Sequence, residues 1–299
     1  MVPDGVDREV VVEVAVNGPT PRAVTPHVPR TPAEIAADMI ACADLGATIL
    51  HNHNDEPMFT TDGVHAAGPY VEAWTAVRAA HPDVFLYPTM AAGARGIPVE
   101  RRWAHVETLA GLGGMTLVDP GSVNVGLTAA GRSPRSAAGS AYQNTIADTE
   151  HMAARTVALG AVPSISIFEP GFLRTALTLH RHGRLPVGMV KLYFGGDLQF
   201  GLPPTPTALA AYLELLEPAG LPWSVAVLGG DVVGCGLAEH AVRRGGHVRV
   251  GLEDHAGERT PRNVELVAEL VELLDRLGTR PATPAETRAL LTTNDRSVG

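Results

Sequence analysis

HVRVGLED, residues 247–254, alternates apolar and polar positions. In an extended chain Val248, Val250 and Leu252 share one face, Arg249, Gly251 and Glu253 share the other, and Asp254 follows just beyond. Read as a strand, this run is the eighth of its kind. Before it come VVVEVAVN (10–17), ATILHNH (47–53), VFLYPTM (84–90), MTLVDP (115–120), VPSISIF (162–168), VGMVKLYF (187–194) and WSVAVLG (223–229). Helical stretches intervene, among them TPAEIAADMIACADLG (31–46), TPTALAAYLELLEPAG (205–220) and RNVELVAELVELLDRLG (262–278). Thr31-Pro32 and Thr205-Pro206 place an N-cap before a proline at the first helical position, and Gly46 and Gly278 stand where a helix ends in a left-handed residue.

Eight strand–helix units in one composition regime spell an α/β fold, the (β/α)8 TIM barrel. With one run fewer, the alternative is a doubly wound open sheet. We expect one barrel domain over residues 1–299, with the Pro-rich stretch from 281 to 299 as a C-terminal appendage used in packing or oligomer contact. The Gly/Ser/Ala-rich stretch 122–144 after the fourth strand is expected to lie on the active-site side as a lid.

The 299 residues are 45% hydrophobic and 18% charged, enough for a sizeable core. A net charge of -9 argues against a nucleic-acid groove, and no apolar stretch is long enough to span a bilayer. The N-terminal MVPDGVDREV has no secretory apolar core, so a cytoplasmic location is expected. Cys42 and Cys235 form no CxxC, and both sit in segments that read as amphipathic helices, as buried free thiols.

By the same alternation Glu13, Ala15 and Asn17 share a face in the first strand, Ile49, His51 and His53 in the second, and Lys191 and Tyr193 in the sixth. Buried charges are expensive unless paired or metal-bound, and ion pairing accounts for Glu13 and Lys191. His51, His53 and Glu253 are different: they fall where barrel active sites gather. Two imidazoles and one carboxylate leave a coordination position open, which suits catalytic zinc and also non-haem Fe(II). A nuclease reading of HNH at 51–53 fails, because neither a ββα pattern nor basic surroundings are present.

VNG (16–18), H-x-H at 51–53, MTLVDPGSVN (115–124) and above all GGHVRVGLED (245–254) followed by RNVELV (262–267) resemble the β-keto acid cleavage enzymes, from about residue 8 to 278. The resemblance implies a zinc-dependent barrel, a homo-oligomer (dimer or tetramer), using acetyl-CoA as co-substrate. The implied reaction converts a β-keto acid and acetyl-CoA to acetoacetate and a new acyl-CoA. It implies zinc on His51, His53 and Glu253, Asp254 as catalytic acid/base and Arg249 as its partner. Asn17, Thr20, Thr89, Ser122 and Glu169, at or past strand ends, are expected to contact substrate. Backbone N–H groups of Gly121-Ser122 and Gly229-Gly230 are expected either to hold CoA phosphates or an oxyanion, or simply to make turns.

Three departures stand out. The family's H-x-H-x-R-D here reads His51-Asn52-His53-Asn54-Asp55-Glu56, which loses a positive group and makes the site more acidic. Ser164 and Ser166 stand at inward positions of strand five that often carry Glu, with Glu169 just beyond. Thr20 replaces a Glu suited to a substrate ammonium, which favours a neutral or hydroxylated keto acid. The acidic segment keeps open a metal-dependent lyase or hydrolase that does not use CoA. A barrel that only binds a small ligand explains His51, His53, Arg249, Glu253 and Asp254 less well.

Overall fold

In a computed structural model, residues 8–56, 64–92, 96–125, 127–128, 131–132 and 141–293 are described. Eight parallel strands form one sheet: β1 (Val12–Ala15), β2 (Ala47–Asn52), β3 (Phe85–Pro88), β4 (Met115–Val118), β5 (Val162–Ile167), β6 (Met189–Gly195), β7 (Trp223–Leu228) and β8 (His247–Val250). The neighbours run β3-β2-β1-β8-β7-β6-β5-β4, and a parallel bridge between Leu86 and Gly114 joins β3 to β4. The ring is therefore closed and the open-sheet alternative falls.

Helices α1 (Pro32–Asp44), α2 (Gly68–Ala80), α3 (Val99–Gly113), α4 (Ile146–Ala158), α5 (Pro170–Arg181), α6 (Pro206–Leu216), α7 (Leu237–Arg243) and α8 (Asn263–Arg276) follow the strands in turn. Valines facing outward from the strands, such as Val12, Val14 and Val248, pack with Ile35, Met39, Leu266 and Leu270 of the helix layer in a continuous apolar core. Thr31 caps α1 reciprocally with Glu34, and Gly46 and Gly278 follow the ends of α1 and α8 in left-handed conformation. No described helix is long and apolar enough to cross a membrane.

Two readings of the sequence are revised. The eighth strand ends at Val250, and residues 251–255 turn instead of continuing the alternation. Gly251 makes the turn: its φ is +136°, and a Cβ there would lie 2.1 Å from the Ala15 carbonyl oxygen. Cys42 is buried in α1, but Cys235 is exposed in the turn before α7. The connection after β4 carries two short antiparallel ladders, Val123–Asn124 with Ala141–Tyr142 and Leu127–Thr128 with Gly131–Arg132. Part of the expected lid, residues 133–140, lies outside the described residues, as do 294–299 of the appendage. Of that C-terminal stretch, Arg280–Pro281 pairs with Glu9–Val10, and α9 (Pro284–Thr292) docks through Thr287 Oγ1, 2.9 Å from Thr48 Oγ1.

Candidate active site

β2 delivers His51 at its C-terminal end, and His53 follows one residue past it. The turn after β8 brings Glu253 to both: His51 Nε2 lies 3.1 Å from Glu253 Oε2 and His53 Nε2 3.2 Å from Oε1. One donor atom from each residue falls within 4.8 Å of the others. His51 Nδ1 donates to the Tyr87 carbonyl at 3.1 Å, which leaves the Nε2 lone pair facing Glu253. Burial pushes the His51 pKa down to about 4, despite Glu253, so the ring is neutral at physiological pH. Burial opposes charge on Glu253, but His53, Arg249 and His51 outweigh it and hold this carboxyl well below the usual range.

These residues fit a divalent cation. Glu253 Oε2 is buried and receives no hydrogen bond of standard geometry among the described residues, although two cationic or metal-ligating groups stand beside it. Two imidazoles and a carboxylate are the donor chemistry of zinc sites with an open position.

Asn17, at the end of β1, builds the histidine side of the site. Its Oδ1 accepts from His53 N at 2.7 Å and Gly18 N at 2.8 Å, while its Nδ2 donates to the carbonyls of His53 at 2.9 Å and Pro29 at 3.1 Å. Gly18 passes so close that a Cβ would sit 2.5 Å from Glu253 Cγ.

Arg249 binds Asp254 with a two-toothed fork, Nε to Oδ2 at 2.7 Å and Nη2 to Oδ1 at 3.0 Å. The same guanidinium lies 3.1 Å from Glu253 Oε2 and donates to Glu13 at 3.2 Å and Tyr87 Oη at 2.8 Å. Tyr87 donates to Glu13, accepts from Lys191 Nζ at 2.7 Å and stacks on His51 with centroids 4.4 Å apart. Burial works against the Glu13 charge, but Lys191 and Arg249 pull its pKa below the ordinary value. Asp254 is shifted the other way: burial raises its pKa against the pull of Arg249.

The sequence profile of the β-keto acid cleavage enzymes matches residues 9–292. The chain belongs to that family. Among curated relatives, a 3-dehydrocarnitine:acetyl-CoA trimethylamine transferase of Rhizobium meliloti is 28% identical over 97% of this chain and 98% of its own length. The 3-keto-5-aminohexanoate cleavage enzyme of Fusobacterium nucleatum is 28% identical over 89% of this chain and 91% of its own. ObcA, solved as a ternary complex with a C4-CoA adduct and oxalate, superposes with a TM-score of 0.70 and 18% identity over 89% of this chain and 67% of that one, a likeness of fold.

Within this β-keto acid cleavage enzyme the expected residues divide. His51, His53, Arg249, Glu253 and Asp254 converge. Asn17 spends its amide on backbone. Ser122 Oγ exchanges hydrogen bonds of 3.0 Å with the backbone of Asn144, tying down the excursion after β4. Glu169 Oε1 accepts from Gly201 N at 3.1 Å, joining the loops after β5 and β6. Thr89 presents its carbonyl to His105 Nε2 at 2.7 Å, and Thr20 is fully buried with its carbonyl held by Arg30.

The glycine donors and the acidic run both find partners within the loops. Gly229 and Gly230 donate their N–H groups to the Asp254 carbonyl, at 2.8 and 3.3 Å, and Gly121 donates to Asp119 O at 3.0 Å. These three donors hold the turn that carries Asp254 and close another after β4, which is the turn role. In the acidic run past His53, Asp55 pairs with Arg30 at 3.0 Å, and Glu56 accepts from Asn54 Nδ2 and Ala66 N, each at 3.2 Å. A positive group thus does stand beside this loop, contributed from residue 30.

Sequence reasoning missed Tyr87 as the hub of the interior. The signal was there: Tyr87 is two residues from Thr89 in VFLYPTM and shares its face. Asp119, the carboxylate ending MTLVDP, was also passed over; it is buried and accepts from Tyr142 Oη.

Proposed function

We propose that this chain, working as one barrel domain in a cytoplasmic homo-oligomer, is a zinc-dependent enzyme that condenses a β-keto acid with acetyl-CoA and releases acetoacetate and a new acyl-CoA. The observation that carries the reading is the convergence of His51, His53 and Glu253 donor atoms within 4.8 Å, beside a carboxylate gripped by Arg249. Zinc held by those three side chains would act as a Lewis acid toward the ketone, making the neighbouring C–H acidic.

Asp254 takes the C2 proton of the keto acid on a carboxylate oxygen, and its raised pKa suits that work near neutrality. The C2 carbon so exposed attacks the acetyl thioester. Once the CoA thiolate has attacked the original ketone and the C2–C3 bond has broken, Asp254 returns its proton to C2 of acetoacetate. Arg249 keeps both oxygens of Asp254 in one plane and remains charged throughout. Tyr87 and Glu13 hold Arg249 from behind, and Lys191 offsets the charge of Glu13. Thr20, a neutral residue, favours a keto acid whose far end is neutral or hydroxylated. The acidic run that would favour CoA-independent chemistry is taken up by Arg30 and backbone donors, which supports the CoA reading.

The test is to incubate zinc-loaded protein with acetyl-CoA and a panel of β-keto acids and to read new acyl-CoA species by mass spectrometry, with Asp254→Asn as control. A new acyl-CoA from the wild type alone is expected. None across the panel, with zinc bound, would sink the proposal in favour of a lyase or hydrolase.

A further inference from the structure

Asp119 follows β4 at the barrel mouth, 7% exposed, and neither the zinc-ligand set nor the Asp254 pair uses it. Its Oδ2 accepts from Tyr142 Oη, which arrives on the short ladder Ala141–Tyr142 of the excursion after β4. Its Oδ1 is buried, and no hydrogen bond of standard geometry reaches it among the described residues. In the sheet Ile165 pairs with Val118 and Ser166 with Lys191, so Asp119, Ser166 and Lys191 lie in a row across β4, β5 and β6. Lys191 in turn reaches Tyr87 and Glu13, and these reach Arg249, which grips Asp254. In the ring order β4 stands opposite β8. One carboxyl group therefore follows each of two opposed strands, one held in a guanidinium fork and the other against a phenol.

The reaction has work for both. When the C–S bond of the acetyl thioester breaks, its electron pair goes to sulfur while Asp254 still holds the C2 proton on the other side. We propose that Asp119 is a second catalytic carboxyl group, which gives its proton to the departing CoA sulfur and takes it back when that sulfur attacks the ketone carbon. Over the cycle nothing is oxidised or reduced: the proton moves from Asp119 Oδ1 to sulfur and returns as the new C–S bond forms. Burial supports the assignment by raising the Asp119 pKa above the usual range, against opposing contributions from Tyr142, Ser166, Lys191 and Arg102, the polar and charged groups around it.

The inference rests on the CoA-dependent reading above, and leaving-group acidity separates the two. A thiol acidic enough to depart as thiolate needs no proton. With a fixed β-keto acid, the rate of acetoacetate formation with acetyl-CoA is compared with the rate with S-phenyl thioacetate, for wild type, Asp119→Asn, Asp119→Glu and Tyr142→Phe, after zinc content and Tm are checked. Asp119→Asn should lose about 100-fold or more with acetyl-CoA and about tenfold or less with the phenyl thioester. Equal losses with both would reduce Asp119 to an anchor for the Tyr142 ribbon and overturn the proposal. Tyr142→Phe should keep the wild-type ratio between thioesters; if it acquires the sensitivity expected of Asp119→Asn, the phenol is the acid and the assignment fails. Should the asparagine variant not fold, Asp119→Glu, which misplaces the carboxyl, carries the same comparison. A wild type inert towards acetyl-CoA with every keto acid overturns both readings, whereas an active wild type with a leaving-group-independent variant overturns only this one.

Discussion

Arg249 holds Asp254 in a two-point fork, at 2.7 and 3.0 Å, with both side chains buried, and reaches Glu13 and Glu253 with its remaining edge. A planar five-donor group can grip one carboxylate at two points and still reach two others, whereas the three donors of an ammonium cannot hold that fork as well. Arg249→Lys keeps the charge but loses the fork. It should retain bound zinc while kcat falls about 100-fold or more. Steady-state kinetics beside metal analysis checks this, and a kcat within threefold of wild type would detach Arg249 from the base.

His51→Ala should lose zinc and activity together on dialysis, because only two protein ligands would remain. Metal content read after dialysis decides the point: full retention removes His51 from the ligand set.

Asn17 supports the other histidine only through backbone, with four hydrogen bonds around His53, Gly18 and Pro29. Asn17→Ala should weaken zinc binding about 10–100-fold, the usual effect of removing a group that orients a ligand. Buried backbone groups left unpaired should also cost about 1–3 kcal/mol of stability. A zinc competition titration and a denaturant melt separate the two effects, and wild-type affinity would show that His53 needs no such support.

Gly18 has a φ of +82°, and a side chain there would meet Glu253 Cγ at 2.5 Å. Gly18→Ala should therefore push the carboxylate away from the histidines as well as strain the backbone by about 1–2 kcal/mol. The expected signature is weaker zinc affinity with a modest loss of Tm. A lower Tm with unchanged affinity would mean that Glu253 tolerates the displacement.

Asp38, on α1, accepts from Asn263, which also ties Val16 O to Leu252 N. Burial raises the Asp38 pKa from 3.8 to about 6, despite Asn263 and Arg262. The folded state thus holds this proton at pH values where the unfolded chain releases it. Asp38 opposes stability progressively as pH rises from about 4 to 6, and the full loss, on the order of 3 kcal/mol, stands above that window. Asp38→Asn, which keeps an acceptor for Asn263, should stabilise the protein by about 1–3 kcal/mol at pH 7 and by little at pH 4. Urea melts at both pH values test it; equal gains would exclude the linkage.

The barrel and the residues of its candidate metal site were legible in the sequence because both depend on local pattern. Eight short apolar runs between amphipathic helices allow few other solutions, and a period of two placed His51 and His53 on one face and Arg249 on the polar face of the last strand. The same period failed at Gly251. There the chain turns because only glycine fits against the Ala15 carbonyl, and the turn, not strand alternation, carries Glu253 and Asp254 to the mouth.

What lay beyond the sequence depends on partners distant along the chain. No spacing rule joins Arg30 to Asp55, Gly229 to the Asp254 carbonyl, or Tyr142 to Asp119. Tyr87 becomes a hub only because β1, β3, β6 and β8 close into one ring and bring Glu13, Lys191 and Arg249 around its hydroxyl. Local sequence determined which residues end each strand. Closure of the ring decided which buried charges and donors found one another, because a polar group removed from water takes whatever partner the tertiary structure sets within reach.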